Sequence, residues 1–578
     1  MLIYSIIILI LCTAVTNNRD SSILFSRVTI LALISSLIVL SININIHFIH
    51  EGLILYGGLF MLKSHGLFFI LFILILSTFI IGLNSFYLRK RNSFVENLPM
   101  KSVMEDSFLE NNKDTLDQKN SSLDKNKLDI WNNSIKKVNM MTYEYRIIEY
   151  PLIILFCLTG AIFLLCSYDI VSIFLSIELQ SYALYLLCSI HRNSESSINA
   201  GLTYFLLGGL SSCIILLGMS LLYLNTGNTN LENIYIINNI WNAFSYSIIH
   251  ENIPVDNLWV YQTIYTEYTY MQLPFAIISV GLLFKIAAAP FHFWSPDVYD
   301  SIPTIVTTFV AIIAKISLLL LFLELLFYTD NNLMTLSWSN NLIISSILSL
   351  LIGSILGLVQ HRIKRLYAYS TISHIGFILL ALSVNTLEST KAFFFYIIQY
   401  SISNLNAFII LISIGYSLFL YTNKSSIKEN KYSPIQYISQ LKGYFFINPI
   451  LAISLAITLF SFIGVPPLIG FFGKQMILTA ALDNGYIFTT LIAIITSVIS
   501  AVYYLVLVKL IFFDSPNYKL NVKFTKFLTS HYKHFDKKDV SISNFLSFSI
   551  SIFTLFVLLF MFFDQELINI INITTCYI

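Results

Sequence analysis

Apolar runs of about 20 residues recur from one end of this chain to the other, each long enough to cross about 30 Å of hydrocarbon as a helix. Backbone surrounded by lipid must satisfy its own hydrogen bonds, which restricts such runs to helices. Of 578 residues, 56% are hydrophobic and only 11% are charged, more apolar surface than a water-soluble core absorbs. The expected fold is therefore an all-α membrane protein.

Hydropathy places about fourteen transmembrane helices, near 1–16, 28–49, 66–88, 151–167, 170–190, 198–224, 271–290, 304–328, 341–359, 366–385, 391–421, 445–480, 486–513 and 545–563. The basic residues test this arrangement independently, because loops facing the cytoplasm or matrix are enriched in Lys and Arg. Outside the spans, only Lys63 and Lys391 fall in even-numbered loops; Arg19, Arg27, Arg192, Arg362, Lys364 and Arg365 are among the many in odd-numbered ones. An even number of spans with both termini on the outer side fits that asymmetry.

Two polar insertions interrupt the pattern. The stretch 89–149 mixes Lys, Asp, Asn and Ser with little apolar periodicity and is expected to be a polar loop on the inner, matrix side. The stretch 225–270 lacks Lys and Arg and suits an outer-face loop. The expected organisation is a three-helix segment over 1–88, the loop 89–149, one half over 150–328, a second over 329–513, and an inner loop with a last helix over 514–578. A net charge of +2 gives no reason to expect a nucleic-acid partner. The six cysteines show no C-x-x-C spacing for zinc or an iron–sulfur cluster and read as packing residues, so no redox centre is expected in this chain. Met1 leads straight into an apolar run without an Arg-rich amphipathic leader, and the abundance of Ile, Phe, Tyr, Asn and Lys fits an AT-rich genome, as organelle genomes often are.

Charge inside the apolar runs is the informative signal, since an ionised group at mid-membrane costs about 2.5–3.5 kcal/mol or more without a partner or water. Lys285, Lys315, Lys474 and Lys509 lie within predicted helices. Lys509 is near a helix end, where its stem can snorkel to the interface. Lys285, in L-L-F-K-I-A-A-A-P, and Glu178, in F-L-S-I-E-L-Q-S-Y, sit well inside their runs. Burial disfavours the charged form of each and mutual proximity favours it, so the two residues read either as a proton switch or as a static ion pair joining two helices. His374, in S-T-I-S-H-I-G-F, suits either a proton relay or a hydrogen bond to a neighbour. Glu324 lies closer to an outer helix end and is expected to face headgroups. No phosphate loop, nucleophile constellation or metal-ligand cluster is present, so the chain is not expected to make or break covalent bonds by itself.

Prolines predict two interrupted helices. Pro466 and Pro467 remove two backbone donors from a stretch too long for one ordinary span, and Pro290, Pro296 and Pro303 do the same around the seventh helix. Broken helices 7 and 12, each with a buried lysine and five helices apart, match an inverted-repeat transporter whose halves are helices 4–8 and 9–13.

Four stretches carry a family likeness: Y-D-I-V-S-I-F-L-S-I-E-L-Q-S-Y at 168–182, F-K-I-A-A-A-P-F-H-F-W-S-P-D-V-Y at 284–299, I-K-R-L-Y-A-Y-S-T-I-S-H-I-G-F at 363–377 and G-V-P-P-L-I-G-F-F-G-K at 464–474. In their order and spacing the chain resembles the antiporter-like subunits of NADH:ubiquinone oxidoreductase, respiratory complex I, most closely those of the subunit 2 or chain-N type. The resemblance implies a proton path in which Glu178 pairs with Lys285, Lys315 connects the halves, His374 assists and Lys474 faces the exit half. It further implies a place in the mitochondrial inner membrane, both termini toward the intermembrane space, beside neighbouring antiporter-like subunits and membrane lipids. NADH, flavin, iron–sulfur clusters and ubiquinone would be handled by other subunits. One departure is local: the family's usual glycine after P-D-V-Y is replaced, giving Asp300-Ser301-Ile302-Pro303. A cation/proton antiporter subunit is the alternative, since it shares the broken helices and buried lysines.

Overall fold

The computed structural model describes residues 1–15, 22–43, 52–87, 149–191, 194–250, 258–329, 338–418, 421–423, 435–516, 518–520 and 544–576. The polar stretch 89–149 and the basic run 521–543 lie outside these residues, apart from Glu149. Helices dominate: α1 (Leu2–Val15), α2 (Ser22–Asn43), α3 (Ser64–Tyr87), α4 (Glu149–Cys166), α5 (Ile170–Ser189), α6 (Glu195–Thr226), α7 (Leu231–His250), α8 (Leu258–Ile286), α9 (Trp294–Ser301) and α10 (Thr304–Thr329) come first. They are followed by α11 (Ser339–Leu358), α12 (Ile363–Val384), α13 (Leu387–Ser417), α14 (Pro449–Ile463), α15 (Ile469–Asp483), α16 (Ile487–Phe512), α17 (Asn544–Leu559) and α18 (Asp564–Cys576). Among the described residues, 11 helices are long and apolar enough to cross a membrane. Among the described residues there are two short two-stranded antiparallel sheets, β1 (Leu53–Leu55) with β2 (Phe60–Leu62) and β3 (Tyr421–Asn423) with the distant β4 (Tyr518–Leu520).

Local chemistry sets the helix ends. Asp169 caps α5, its carboxylate accepting from the Val171 amide at 2.9 Å while Ser172 answers in a capping box. Asn448 caps α14 ahead of Pro449, which occupies the first turn, where its missing N–H costs nothing. Both proline-marked interruptions are present: α8 ends at Ile286 and the chain re-forms as α9, while α14 ends at Ile463 and resumes as α15.

The two halves are built alike. α4 packs along α5, and α11 along α12. Each contact relies on a glycine: a side chain on Gly160 would meet the Gln180 backbone nitrogen at 2.7 Å, and one on Gly353 would meet that of Ser373 at 2.7 Å. α10 and α13 pack together in the interior, their hydrophobic windows wholly buried, whereas α6 and α16 turn most of their apolar surface outward. α3 leans on α10 and α4, and α17 and α18 close against α13.

The structure differs from the sequence reading in two places. The stretch 225–270 is not a loop: it contains α7 and the first half of α8. Leu231 and Ile234 are buried, and Asn238 donates to the Thr329 carbonyl at 3.2 Å, so tertiary contacts hold a helix that its Tyr- and Asn-rich composition disguises. A further helix, α18, follows the last predicted span.

Candidate functional site

The interior charges lie along the core of the bundle. Lys285, in the last turn of α8, donates to Glu178 Oε1 on α5 at 3.0 Å, and both side chains are largely buried. Ser181 approaches the other carboxylate oxygen at 3.4 Å. Where α8 stops, the Phe284 carbonyl accepts both from the Ala287 amide at 3.1 Å and from the Trp294 indole of α9 at 2.9 Å, which ties α9 to the end of α8. Beside Lys285 a cavity of about 20 Å³, room for about one water, is lined by Gln180, Ser181, Tyr185, Tyr204 and Trp294.

That cavity extends toward α10. Gln180 donates to Ser317 Oγ at 3.0 Å, joining α5 to α10 two residues from Lys315. Lys315 Nζ donates to Thr371 Oγ1 on α12 at 3.3 Å and stands 5.5 Å from the Tyr299 ring centroid. No carboxylate among the described residues pairs with it.

α12 carries the line onward through residues three apart on one face, Thr371, His374 and Phe377, about 9 Å of helix. His374 Nδ1 bonds the Tyr396 hydroxyl of α13 at 2.8 Å, leaving Nε2 buried without a protein partner. Lys474 on α15 donates to the carbonyls of Phe462 and Ile463 at 2.9 and 2.8 Å, the acceptors released where α14 ends, and lies 5.4 Å from the Phe377 ring. The proline break therefore supplies the ligands of the lysine that follows it.

The sequence profile of the NADH:quinone oxidoreductase/Mrp antiporter transmembrane family matches residues 167–500, more than half of the chain. The chain belongs to that family. It is 40% identical over 583 residues to NADH-ubiquinone oxidoreductase chain 2 of Rhizopus oryzae, covering 100% of this chain and 99% of that protein. To NADH-quinone oxidoreductase subunit N of Pelagibacter ubique it is 33% identical over 439 residues, 76% of this chain and 81% of the relative. The fold is shared with a chain of respiratory complex I from Thermus thermophilus, with TM-score 0.66 at 21% identity, covering 98% of this chain and 97% of that one.

Of the five residues singled out in the sequence, Glu178 and Lys285 form one ion pair, while Lys315, His374 and Lys474 are buried, each held by a partner of its own. Lys509 is exposed on α16 and stays outside it. Thr371, Tyr396, Gln180 and Ser317 were missed. Only Thr371 had a sequence signal, its place one turn before His374.

Glu324 requires a correction. It does not face headgroups but is buried against the start of α3, with Oε1 3.3 Å from His65 Nε2 and 3.6 Å from Lys63 Nζ. Lys63 also donates to the Tyr328 hydroxyl at 2.7 Å. On the opposite face, the substituted Asp300 ion-pairs with Arg362 and lies 3.5 Å from Arg365, which also meets Asp297 at 2.5 Å. The Asp300 carboxylate pushes the Arg362 guanidinium further up from its ordinary range. Lys364 donates to the Ile302 carbonyl at 2.5 Å, so the head of α12 is fastened to α9.

Proposed function

We propose that this chain translocates protons as a membrane-arm subunit of an NADH:ubiquinone oxidoreductase of the mitochondrial inner membrane, with both termini toward the intermembrane space. The observation that carries the reading is the buried Lys285–Glu178 pair at 3.0 Å, set at a helix break and linked through Gln180 and Ser317 to the neighbourhood of Lys315. At an effective dielectric near 20 such a contact is worth on the order of 5 kcal/mol before desolvation. That is comparable to the cost of an unpaired charge at this depth. Drawing the pair apart favours neutral lysine, and closing it favours the charged form. A change in that separation moves a proton toward or away from Lys315, and Thr371, His374 and Tyr396 lie between Lys315 and Lys474.

Work from quinone reduction elsewhere in the assembly would set the separation. NADH, flavin, iron–sulfur clusters and ubiquinone belong to other subunits in this reading, and neighbouring antiporter-like subunits and lipids cover the outward apolar faces of α6 and α16. The test replaces Lys285 with Met in the assembled complex and measures NADH-driven proton pumping. Loss of pumping is expected; undiminished pumping and quinone reduction would overturn the assignment. The family also includes Mrp antiporters, and sodium-dependent proton exchange by the chain's own assembly without NADH would favour that second reading.

A further inference from the structure

Three buried rings from three helices stand in line beside Lys285. Tyr185 of α5 meets Tyr204 of α6 edge to face, with centroids 4.8 Å apart and planes at 86°, and Tyr204 stacks on Trp294 of α9 at 4.5 Å and 21°. All three line the cavity that Lys285 also lines. α6 turns Leu202, Phe205 and Leu206 outward, so Tyr204 is the inward ring of an outward-facing stretch. Glycines make room for it: a side chain on Gly201 would meet Ser189 Cβ at 2.8 Å, and one on Gly208 would overlap the Tyr185 ring, with Cζ at 2.6 Å.

One end of this line grips the backbone of the lysine's helix and the other belongs to the helix of its counter-ion. The Trp294 indole donates to the carbonyl of Phe284, the residue before Lys285, at 2.9 Å. Tyr185 follows Glu178 by seven residues, two turns and about 10 Å along the same face of α5. Lys285 and Glu178 are therefore joined twice: directly, by their contact at 3.0 Å, and through the Phe284 backbone, Trp294, Tyr204, Tyr185 and α5. The second connection carries no charge, so it persists whichever member of the pair holds the proton. Because the Phe284 carbonyl also accepts from the Ala287 amide, the indole is not needed to satisfy it; what the indole adds is position.

We infer that Tyr204 and Trp294 are positioning residues: the aromatic line holds the end of α8 at a set distance from α5, so that Lys285 and Glu178 return to one contact geometry after each change of protonation. The inference rests on the proton-translocation reading and adds to it a part that itself carries no proton. Loss of the ion-pair attraction would otherwise free α8 to drift from α5, and a displacement of about 1 Å at a reacting group can cost on the order of a hundredfold in rate.

The test uses the full chain in the assembled complex, in membrane vesicles, with the amount of complex read on native gels. Tyr204→Leu removes both ring contacts but keeps an apolar side chain, whereas Tyr204→Phe keeps both. NADH-driven pumping per assembled complex should fall several-fold in Tyr204→Leu and recover in Tyr204→Phe; equal rates in the two would overturn the inference. Trp294→Phe keeps a ring for Tyr204 but cannot donate. It should lower pumping less severely, and it decides the matter if Tyr204→Leu fails to assemble, a wild-type rate there overturning the role of the indole. Because the line acts through the ion pair, adding Tyr204→Leu to Glu178→Asp should cost less than the product of the two separate losses. Losses that simply multiply would mark a structural contribution only and overturn the positioning role. Lys285→Met keeps the two claims apart: undiminished pumping there sinks the translocation reading, whereas lost pumping there beside a wild-type rate in Tyr204→Leu sinks the aromatic line alone.

Discussion

The two halves share a scaffold but hold their lysines by different chemistry. If the glycine contacts set the register, Gly160 against Gln180 and Gly353 against Ser373, then Glu178 in the first half corresponds to Thr371 in the second. The first half places a carboxylate there, and it meets the lysine of its own broken helix. The second half places a hydroxyl there, and it accepts from Lys315 of the other half, while Lys474 is left to the carbonyls of Phe462 and Ile463. A lysine bound by carbonyl dipoles can lose its proton without leaving a bare carboxylate behind; one bound by Glu178 cannot. In the proposed mechanism the first half would respond to charge and the second would pass protons on.

The most severe way to break this contrast is Glu178→Gln, which leaves Lys285 buried without its counter-ion. Removing one partner of a buried pair costs about 3–5 kcal/mol, so NADH-driven pumping should fall at least about tenfold, with Glu178→Asp retaining a measurable part. Thr371→Glu makes the halves alike by giving Lys315 an acid of its own. Proton pumping should slow several-fold while the complex still assembles, and a wild-type rate would sink the idea that holding Lys315 by a hydroxyl rather than a carboxylate matters.

The shared scaffold is tested by Gly160→Ala and Gly353→Ala. Each methyl is placed 2.7 Å from backbone, and each substitution should cost about 1–3 kcal/mol, read as a similar fall in thermal unfolding temperature in detergent. Markedly unequal effects would weaken the register on which the comparison depends. The smallest effect is expected from Asp300→Asn at the rim, about 1 kcal/mol or less and shrinking as salt is raised, because Arg362 is partly exposed.

Much of this was legible because lipid imposes simple rules. Long apolar runs marked the spans, Pro290 and Pro466–Pro467 marked the breaks, and charges that cannot be tolerated unpartnered marked Glu178, Lys285, Lys315 and Lys474. What stayed hidden depends on contacts between distant segments. α7 reads as loop because its Asn and Tyr lower hydropathy, and its packing against α10 and α8 holds it as helix. Glu324 finds Lys63 and His65 across more than 250 residues, which no local pattern encodes. Thr371 has its place one turn before His374 as a hint, but its partner Lys315 lies 56 residues away and no local pattern names it.

The seclusion of α10 has a consequence for how the molecule senses its surroundings. The helix bearing Lys315 is surrounded by protein except at Phe327, whereas α6 and α16 turn broad apolar flanks outward. Changes in bilayer thickness or lipid composition will therefore be absorbed first as tilt in those flanking helices. Lys315 is insulated from them, as a conductor is by its sheath.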